Sequence, residues 1–291
     1  MSAGGSGPRA RPPRLRGPPW IALEIALSAS LLLLFVLPIY ALFAFAPSEI
    51  PEYATNPGVQ AALWLTFYAS GITLLIAIVF AIPMGYLLAR RTFPGKAVIE
   101  ALVALPVVIP HLLVGLGLFI LLLPGSPAYR FTEWLGMPVY DTIWGVVLVM
   151  AFVSAPYTVL ASDLSFRAVD GRMLEASRSL GAGPATSFLT VSFPIALRGI
   201  VAGLLLTWAR AVSEIGGILI LAYVVYPGGP YSGPVTSTLS VLVYNLFQAG
   251  NLQGAAAVSA VFLLIAFALF VAVRLAERVG WVPWHRGDLG P

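Results

Sequence analysis

Residues 175–194 of this chain read EASRSLGAGPATSFLTVSFP. The segment is polar and charged, and it lies between two long apolar runs. Three residues separate Glu175-Ala176-Ser177 from Gly181, and nine more separate that glycine from Val191-x-Phe193-Pro194. Such a stretch between apolar runs is typical of a structured loop that projects from a membrane.

The residues around this segment predict its local structure. The carboxylate of Asp170 can accept the free N–H groups of a first helical turn. Gly181 suits the left-handed position that ends a helix, and Pro184 suits the first position of the next one. The sequence therefore predicts a short helix over 171–180, with Met173, Ala176 and Leu180 on one face, then a turn and a second short helix.

The composition identifies an integral membrane protein. Of the 291 residues, 59% are hydrophobic and only 10% are charged, which is too little charge to cover the surface of a water-soluble domain. The chain contains no cysteine, so disulfides and thiolate metal sites are excluded. We predict an all-α protein, because continuous apolar runs differ from the alternating strands of a membrane barrel.

Six segments are long and apolar enough to cross a bilayer, which takes about 20 residues per helix. They are residues 20–46, 61–88, 98–123, 142–161, 195–225 and 254–276. We assign 1–19 to a disordered tail, 61–276 to a core with a cytoplasmic loop at 163–194, and 277–291 to a second tail. Ala44-x-Ala46 resembles a signal cleavage site, but the first apolar run is longer than a signal core, which favours a retained helix.

Basic residues alternate between the loops. They precede the first span, follow the sixth, and occupy the loops after the second and fourth spans, whereas the other loops carry Arg130 alone. This asymmetry predicts that both termini and the loop at 175–194 lie in the cytoplasm. The arginines of the N-terminal tail are explained as topogenic charge, and we expect no nucleic-acid partner.

Two polar sites fall inside predicted spans. Arg210 and Glu214, with Ser213 beside them, are four residues apart and would share a helix face, where charge is expensive in lipid. The pair either lines a translocation path, as a gate, or is a structural ion pair. Two prolines four apart, the second being Pro110, should bend the third span next to His111, which is either a pathway residue or a packed, hydrogen-bonded one. We expect no metal site here.

The segment at 175–194 resembles the loop of permeases of ABC importers, in which Glu-Ala-Ala, glycine and Ile-x-Leu-Pro recur at these spacings. Glu175, Ala176, Gly181 and Pro194 match that pattern, whereas Ser177, Val191 and Phe193 depart from it mildly. The resemblance implies the type I ABC importer permease fold. It also implies that this loop docks on a cytoplasmic ATPase, through Glu175, Ala176, Ser177, Leu180, Gly181 and Pro194.

Three further stretches narrow the resemblance: FPGK at 93–96, LPVVIPH at 105–111 and WARAVSEIG at 208–216. With the loop, they are similar to the molybdate/tungstate branch of these permeases, especially its archaeal form. The resemblance implies a homodimer in the cell membrane with two ATP-binding subunits and an extracytoplasmic oxyanion-binding protein. Sulfate or thiosulfate import is the alternative within the superfamily.

The chain itself is not expected to hydrolyse ATP. A phosphate-binding loop needs G-x-x-x-x-G-K-[ST], but the only lysine, Lys96, follows Gly95 with Arg90 in the place of the first glycine. We therefore expect no bound cofactor, and assign ATP and magnesium to the partner. An ion-driven secondary transporter is the rival from another class; a membrane enzyme is weaker, because we find no nucleophile–base pair.

Overall fold

The computed structural model describes residues 19–226 and 235–279. Over these residues it contains fourteen α-helices and two π-helical turns, at Ala77–Ala81 and Phe188–Ser192. The α-helices are α1 Pro19–Phe45, α2 Ile50–Thr55, α3 Pro57–Ile76, α4 Ile82–Arg90, α5 Lys96–Val108, α6 His111–Leu121, α7 Pro127–Trp134, α8 Ile143–Arg167, α9 Gly171–Ser179, α10 Pro184–Ser187, α11 Phe193–Val212, α12 Ile218–Leu221, α13 Leu239–Gln248 and α14 Leu252–Val279.

Five continuous helices are long and apolar enough to cross a membrane, and α5 with α6 forms a sixth, broken candidate. The π turns join α3 to α4, and α10 to α11, into single long helices at 57–90 and 184–212. The all-helical prediction is confirmed for the described residues. Of the predicted tails at 1–19 and 277–291, residues 1–18 and 280–291 lie outside them, whereas residue 19 begins α1 and residues 277–279 end α14.

The third predicted span is bent rather than continuous. Helices α5 and α6 meet at 115°, because Ile109 and Pro110 both adopt extended backbone, with ψ of 133° and 130°. A residue that precedes proline is disfavoured in a helix, and proline cannot donate to the turn before it. The bend expected from the two prolines therefore occurs at Pro110, whereas Pro106 lies inside α5.

The fifth span is shorter than predicted. Helix α11 ends at Val212 and is followed by a non-helical stretch and the four-residue helix α12, so a continuous span over 195–225 was wrong. Glu214 therefore lies beyond the end of the helix that carries Arg210. The side chain of Glu214 accepts the N–H of Gly217 at 2.8 Å, which stabilises the turn that replaces the helix.

The core is built around α8, which packs against α3, α4 and α11. Small residues allow α11 to approach closely: a Cβ on Gly203 would lie 2.4 Å from Ala161 Cβ. The hydroxyls of Thr158 and Thr207 lie 2.7 Å apart between these helices, and Thr207 also lies 3.0 Å from the carbonyl of Ser154. Buried hydroxyls of this kind satisfy one another across a helix pair in lipid.

The segments that follow α12 pack against the bundle. Val225 and Thr236 pair as a single antiparallel bridge, and the amide of Leu239 at the start of α13 donates to Thr66 Oγ1 at 2.8 Å. Helix α13 begins only at Leu239, so the uncharged residues 235–238 before it are not helical. The uncharged residues 227–234 lie outside the described residues.

Candidate functional site

The loop at 170–187 has the helix-turn-helix structure that the sequence predicts. The carboxylate of Asp170 accepts the N–H of Arg172 at 2.9 Å and pairs with its guanidinium at 2.8 Å. The hydrogen bond from the Arg172 side chain, followed by the one from its backbone, lowers the pKa of the Asp170 carboxyl. Helix α9 then runs from Gly171 to Ser179, and α10 begins with Pro184.

Helix α9 ends in a Schellman motif. The N–H of Gly181 donates to the carbonyl of Arg178 at 2.9 Å, and that of Ala182 donates to the carbonyl of Ser177 at 3.1 Å. Gly181 has φ of +89°, the left-handed conformation that glycine adopts without steric cost. The role of this glycine follows from its backbone and not from a contact of its own.

Two apolar residues, Met173 of α9 and Leu180 at its C-cap, face away from the bundle. Leu180 is 89% exposed and Met173 is 50% exposed, whereas Leu174 is buried. Glu175 and Ala176 are also exposed, so four of the residues predicted to share this surface are accessible. Exposed apolar side chains beside charged ones occur both at contact surfaces for other proteins and on helices that rest on lipid headgroups.

Several contacts that the sequence did not indicate brace this loop against the bundle. Ser177 Oγ lies 2.8 Å from Oγ of the buried Ser187, which joins α9 to α10. The Phe188 ring packs edge-on against Tyr86 of α4, and Arg90 donates to the carbonyl of Val169 at 2.9 Å. Ser177, which departs from the alanine of the family pattern, is therefore only partly exposed and bonds within the loop.

Pro194 is the second residue of α11, close to the predicted start of the fifth span at 195, but the helix also extends back through it to Pro184. It lies inside the long helix at 184–212, directly after the π turn, where the N–H of Phe193 donates to the carbonyl of Phe188 five residues back. Because proline has no N–H to give, a wide turn before it absorbs the missing hydrogen bond. Helix α10, at the end of the loop, and the fifth span thus form one continuous helix.

The conformation of Gly181 yields a test that needs no partner protein. An alanine at this position should cost about 1–2 kcal/mol, because L-residues are disfavoured at positive φ. Amide exchange in the last turn of α9 should therefore be about tenfold faster in Gly181→Ala. Gly183→Ala is the matched control, since Gly183 has φ of −68° and open space around it among the described residues. Equal exchange in the two variants would contradict this explanation.

The second site joins two helix breaks inside the bundle. Arg210 Nη2, in the last turn of α11, lies 2.7 Å from Glu214 Oε2 and 2.6 Å from His111 Nδ1 at the start of α6. Arg210 Nη1 lies 3.2 Å from Ser213 Oγ. The structure thus brings Arg210, Ser213, Glu214 and His111 together, and Pro110 sets the bend that places the histidine there.

The burial of these groups differs. Glu214 is 0% exposed, the Arg210 side chain is 17% exposed and His111 is 37% exposed. Ser213 is exposed. The carboxylate therefore lies behind a cation, an imidazole and a hydroxyl that reach the surface of the bundle. The predicted pairing of Arg210 with Glu214 is confirmed, and the extra partner on another helix is His111.

Glycines allow the two breaks to meet. A Cβ on Gly115 would lie 2.7 Å from the Cα of Gly217, and a Cβ on Gly216 would lie 2.8 Å from His111 Cβ. The backbones of α6 and of the turn before α12 are therefore in direct contact. Sequence reasoning missed the role of Gly216 and Gly217. Gly117, two residues further along α6, faces open space among the described residues.

Comparison with known proteins defines the class. Residues 77–280 match the family described as the inner membrane component of binding-protein-dependent transport systems, and the chain belongs to this family. It is 34% identical over 255 residues to a molybdate/tungstate transport system permease protein of Thermococcus kodakarensis, a match that covers 87% of this chain and 94% of the relative.

Two other matches bear on substrate and fold. A probable sulfate transport system permease protein of Helicosporidium is 32% identical, over 88% of this chain and 93% of the relative. The solved structure of a bacterial alginate ABC transporter, in complex with an alginate-bound periplasmic protein, matches with a TM-score of 0.66 at 16% identity, over 89% of this chain and 95% of that one. That likeness confirms the ABC transporter permease fold.

Proposed function

We propose that this chain is the membrane-spanning permease subunit of an ATP-driven, binding-protein-dependent importer of molybdate and tungstate. It forms a homodimer in the cell membrane, with two ATP-binding subunits on the cytoplasmic face and an oxyanion-binding protein outside. The observation that carries the proposal is the braced loop at 170–187, which leaves Met173 and Leu180 exposed on its outer surface. The similarity to molybdate/tungstate permeases supports the substrate.

The distribution of charge supports the orientation. Arg90 at the end of α4, Lys96 at the start of α5 and Arg167 at the end of α8 lie at the end of the bundle from which the loop projects. Arg167 bonds Glu100 and Asp163, each at 2.8 Å. Positive residues concentrate on the cytoplasmic side of membrane proteins, so this end, with both termini, faces the cytoplasm and the ATPase.

The continuous helix at 184–212 supplies the mechanical link. It begins beside the loop, at residues braced against α9, and carries Arg210 in its last turn. The 26 residue steps from Pro184 to Arg210 span about 39 Å at a rise of 1.5 Å each. A displacement of the loop by the ATPase would therefore reach Arg210, Ser213, Glu214, Pro110 and His111, which we assign to the translocation path and its gate.

Sulfate is the second candidate substrate, since the sulfate permease relative covers nearly as much of the chain at similar identity. Sulfate has the tetrahedral shape and the double negative charge of molybdate and tungstate. The binding protein supplies most of the discrimination between these anions, so the permease sequence does not decide between sulfate and molybdate or tungstate. An ion-driven secondary transporter is the rival from another class.

Reconstitution tests the function directly. In vesicles that contain this chain and the ATPase subunit, with the binding protein outside, molybdate or tungstate should stimulate ATP hydrolysis and accumulate inside. We expect uptake to stop without the ATPase subunit. Stimulation by sulfate and not by molybdate or tungstate would favour the sulfate importer. Uptake that persists without ATPase but collapses with the proton gradient would establish the secondary transporter.

A further inference from the structure

We propose that Arg210 and Ser213 form a binding site for a tetrahedral oxyanion dianion, and that Glu214 is the resident anion that occupies Arg210 while this site is empty. The inference rests on the proposed function, because it assigns the imported substrate class to one cluster. It adds a specific exchange of partners. The dianion binds the guanidinium of Arg210, and the carboxylate of Glu214 then accepts a hydrogen bond from His111.

The exposed part of the cluster is a donor surface. Guanidinium groups present paired N–H donors in a fork that matches the oxygens of an oxyanion. Nη1 of Arg210 is engaged only by the Ser213 hydroxyl, at 3.2 Å. That hydroxyl is itself exposed and bonds the carbonyl of Arg210 at 3.1 Å. The hydroxyl and Nη1 can therefore contact an anion, whereas Nη2 must first leave Glu214 Oε2, which lies 2.7 Å away.

The positive charge of this site comes from Arg210 and not from the N-terminus of α6. A Cβ on Gly216 would lie 3.0 Å from the amide of Leu112. The glycine backbone therefore covers the first-turn amides of α6. Among the described residues, no charged group other than Glu214 pairs with the guanidinium.

Glu214 is anchored, whereas Arg210 is free to move. The Glu214 carboxylate is fully buried and its Oε1 is held by the amide of Gly217 at 2.8 Å. The arginine reaches it on a long, flexible side chain that is partly exposed. When the cluster opens, the arginine is therefore the member that turns outward.

His111 replaces Arg210 as the hydrogen-bond donor to the buried carboxylate of Glu214. A buried carboxylate that loses its only cation is strongly destabilised unless another donor replaces it. His111 Nδ1 lies 3.6 Å from Glu214 Oε2, on the same oxygen that Arg210 occupies. A small rotation of the ring allows a tautomer with its proton on Nδ1 to donate to that oxygen, so the exchange needs no net change of charge.

The competition between an incoming anion and Glu214 for Arg210 makes the site selective for dianions over monoanions. To occupy Arg210, an anion must displace a carboxylate that carries one negative charge. A dianion is attracted about twice as strongly as a monoanion at the same distance. Molybdate, tungstate and sulfate therefore compete with Glu214 more successfully than a monovalent anion of similar size. Selection among the three is left to the binding protein.

Equilibrium binding of radiolabelled molybdate to the purified permease–ATPase complex, without binding protein, tests the proposal. We expect weak binding to the wild type. Glu214→Gln should bind about tenfold more tightly, because the competitor is gone while the amide oxygen still accepts from Gly217. Arg210→Gln and the double variant Arg210→Gln/Glu214→Gln should both lose at least tenfold in affinity. Arg130→Gln, on the exposed helix α7, is the control for net charge and should bind as the wild type does.

A purely structural ion pair gives different results. The double variant would then recover the binding and transport of the wild type, since charge balance is restored, and Glu214→Gln would bind no more tightly. Either outcome overturns the proposal. The thermal midpoint of each complex identifies variants that fail to fold, and Arg210→Lys, which keeps the charge, should retain part of the affinity. Failure of the proposed function is distinguishable, because wild-type vesicles would then not import molybdate at all.

Discussion

A charge at Leu180 should uncouple ATP hydrolysis from transport while leaving the membrane bundle folded. Leu180 ends α9 and is 89% exposed, so an aspartate there removes no contact within the chain. If the residue is buried on the ATPase, the lost apolar burial is worth about 1.5–3 kcal/mol. That corresponds to roughly tenfold to a hundredfold weaker docking, and the buried charge adds to the loss.

The affinity of the detergent-purified permease for its ATPase subunit measures this effect, and substrate-stimulated ATP hydrolysis in vesicles checks it. Leu180→Met is the matched control, because it keeps the apolar volume at the same position and should dock and transport nearly as the wild type does. Unchanged assembly of Leu180→Asp would show that α9 is not the contact surface. The importer mechanism would then have to use another part of the chain.

Gly115→Ala should destabilise the bundle and abolish transport. The added methyl group would lie 2.7 Å from the Cα and 2.8 Å from the carbonyl oxygen of Gly217. These are backbone atoms, which cannot rotate away, so α6 must shift. Overpacking of this kind costs about 1–3 kcal/mol. The shift also displaces His111 from Arg210, so we expect the loss of transport to exceed the loss of stability.

Gly117→Ala is the control on the same helix, two residues further on. Nothing in the described part of the chain lies within 4 Å of a Cβ at Gly117. Exchange of glycine for alanine inside a helix stabilises it by about 0.5–1 kcal/mol. The thermal midpoint should therefore fall for Gly115→Ala and stay level or rise for Gly117→Ala. The reverse order would mean that the contact between α6 and Gly217 does not exist.

Local signals in the sequence were sufficient to predict the structure of the loop at 170–187. Asp170, Gly181 and Pro184 predict the cap, the left-handed end and the second helix, because each residue acts on its own backbone. The same reasoning predicted a bend next to His111, since proline affects only its immediate neighbours. It did not predict that the helix continues back through Pro194, where a π turn absorbs the missing donor.

The sequence predicted only part of the cluster formed by Arg210, Glu214 and His111. The spacing of Arg210 and Glu214 indicated a pair, and this pair exists although the helix ends between them. Apolar composition continued past Val212 and suggested a helix to 225, because hydropathy records what lipid tolerates and not where a turn forms. The turn depends on a bond from the Gly217 amide to a buried carboxylate, which hydropathy does not report.

The sequence by itself determined the class of protein, the helical spans and the loop that projects from them, because composition, periodicity and capping act over a few neighbouring residues. Only the tertiary structure decided that His111 joins Arg210 and Glu214, since these residues are about a hundred positions apart and meet through glycine backbones in contact. It also decided that α10, at the end of the loop, and Arg210 lie on one continuous helix. That depends on whether a helix passes through a proline, and the π turn at 188–192 allows it to do so.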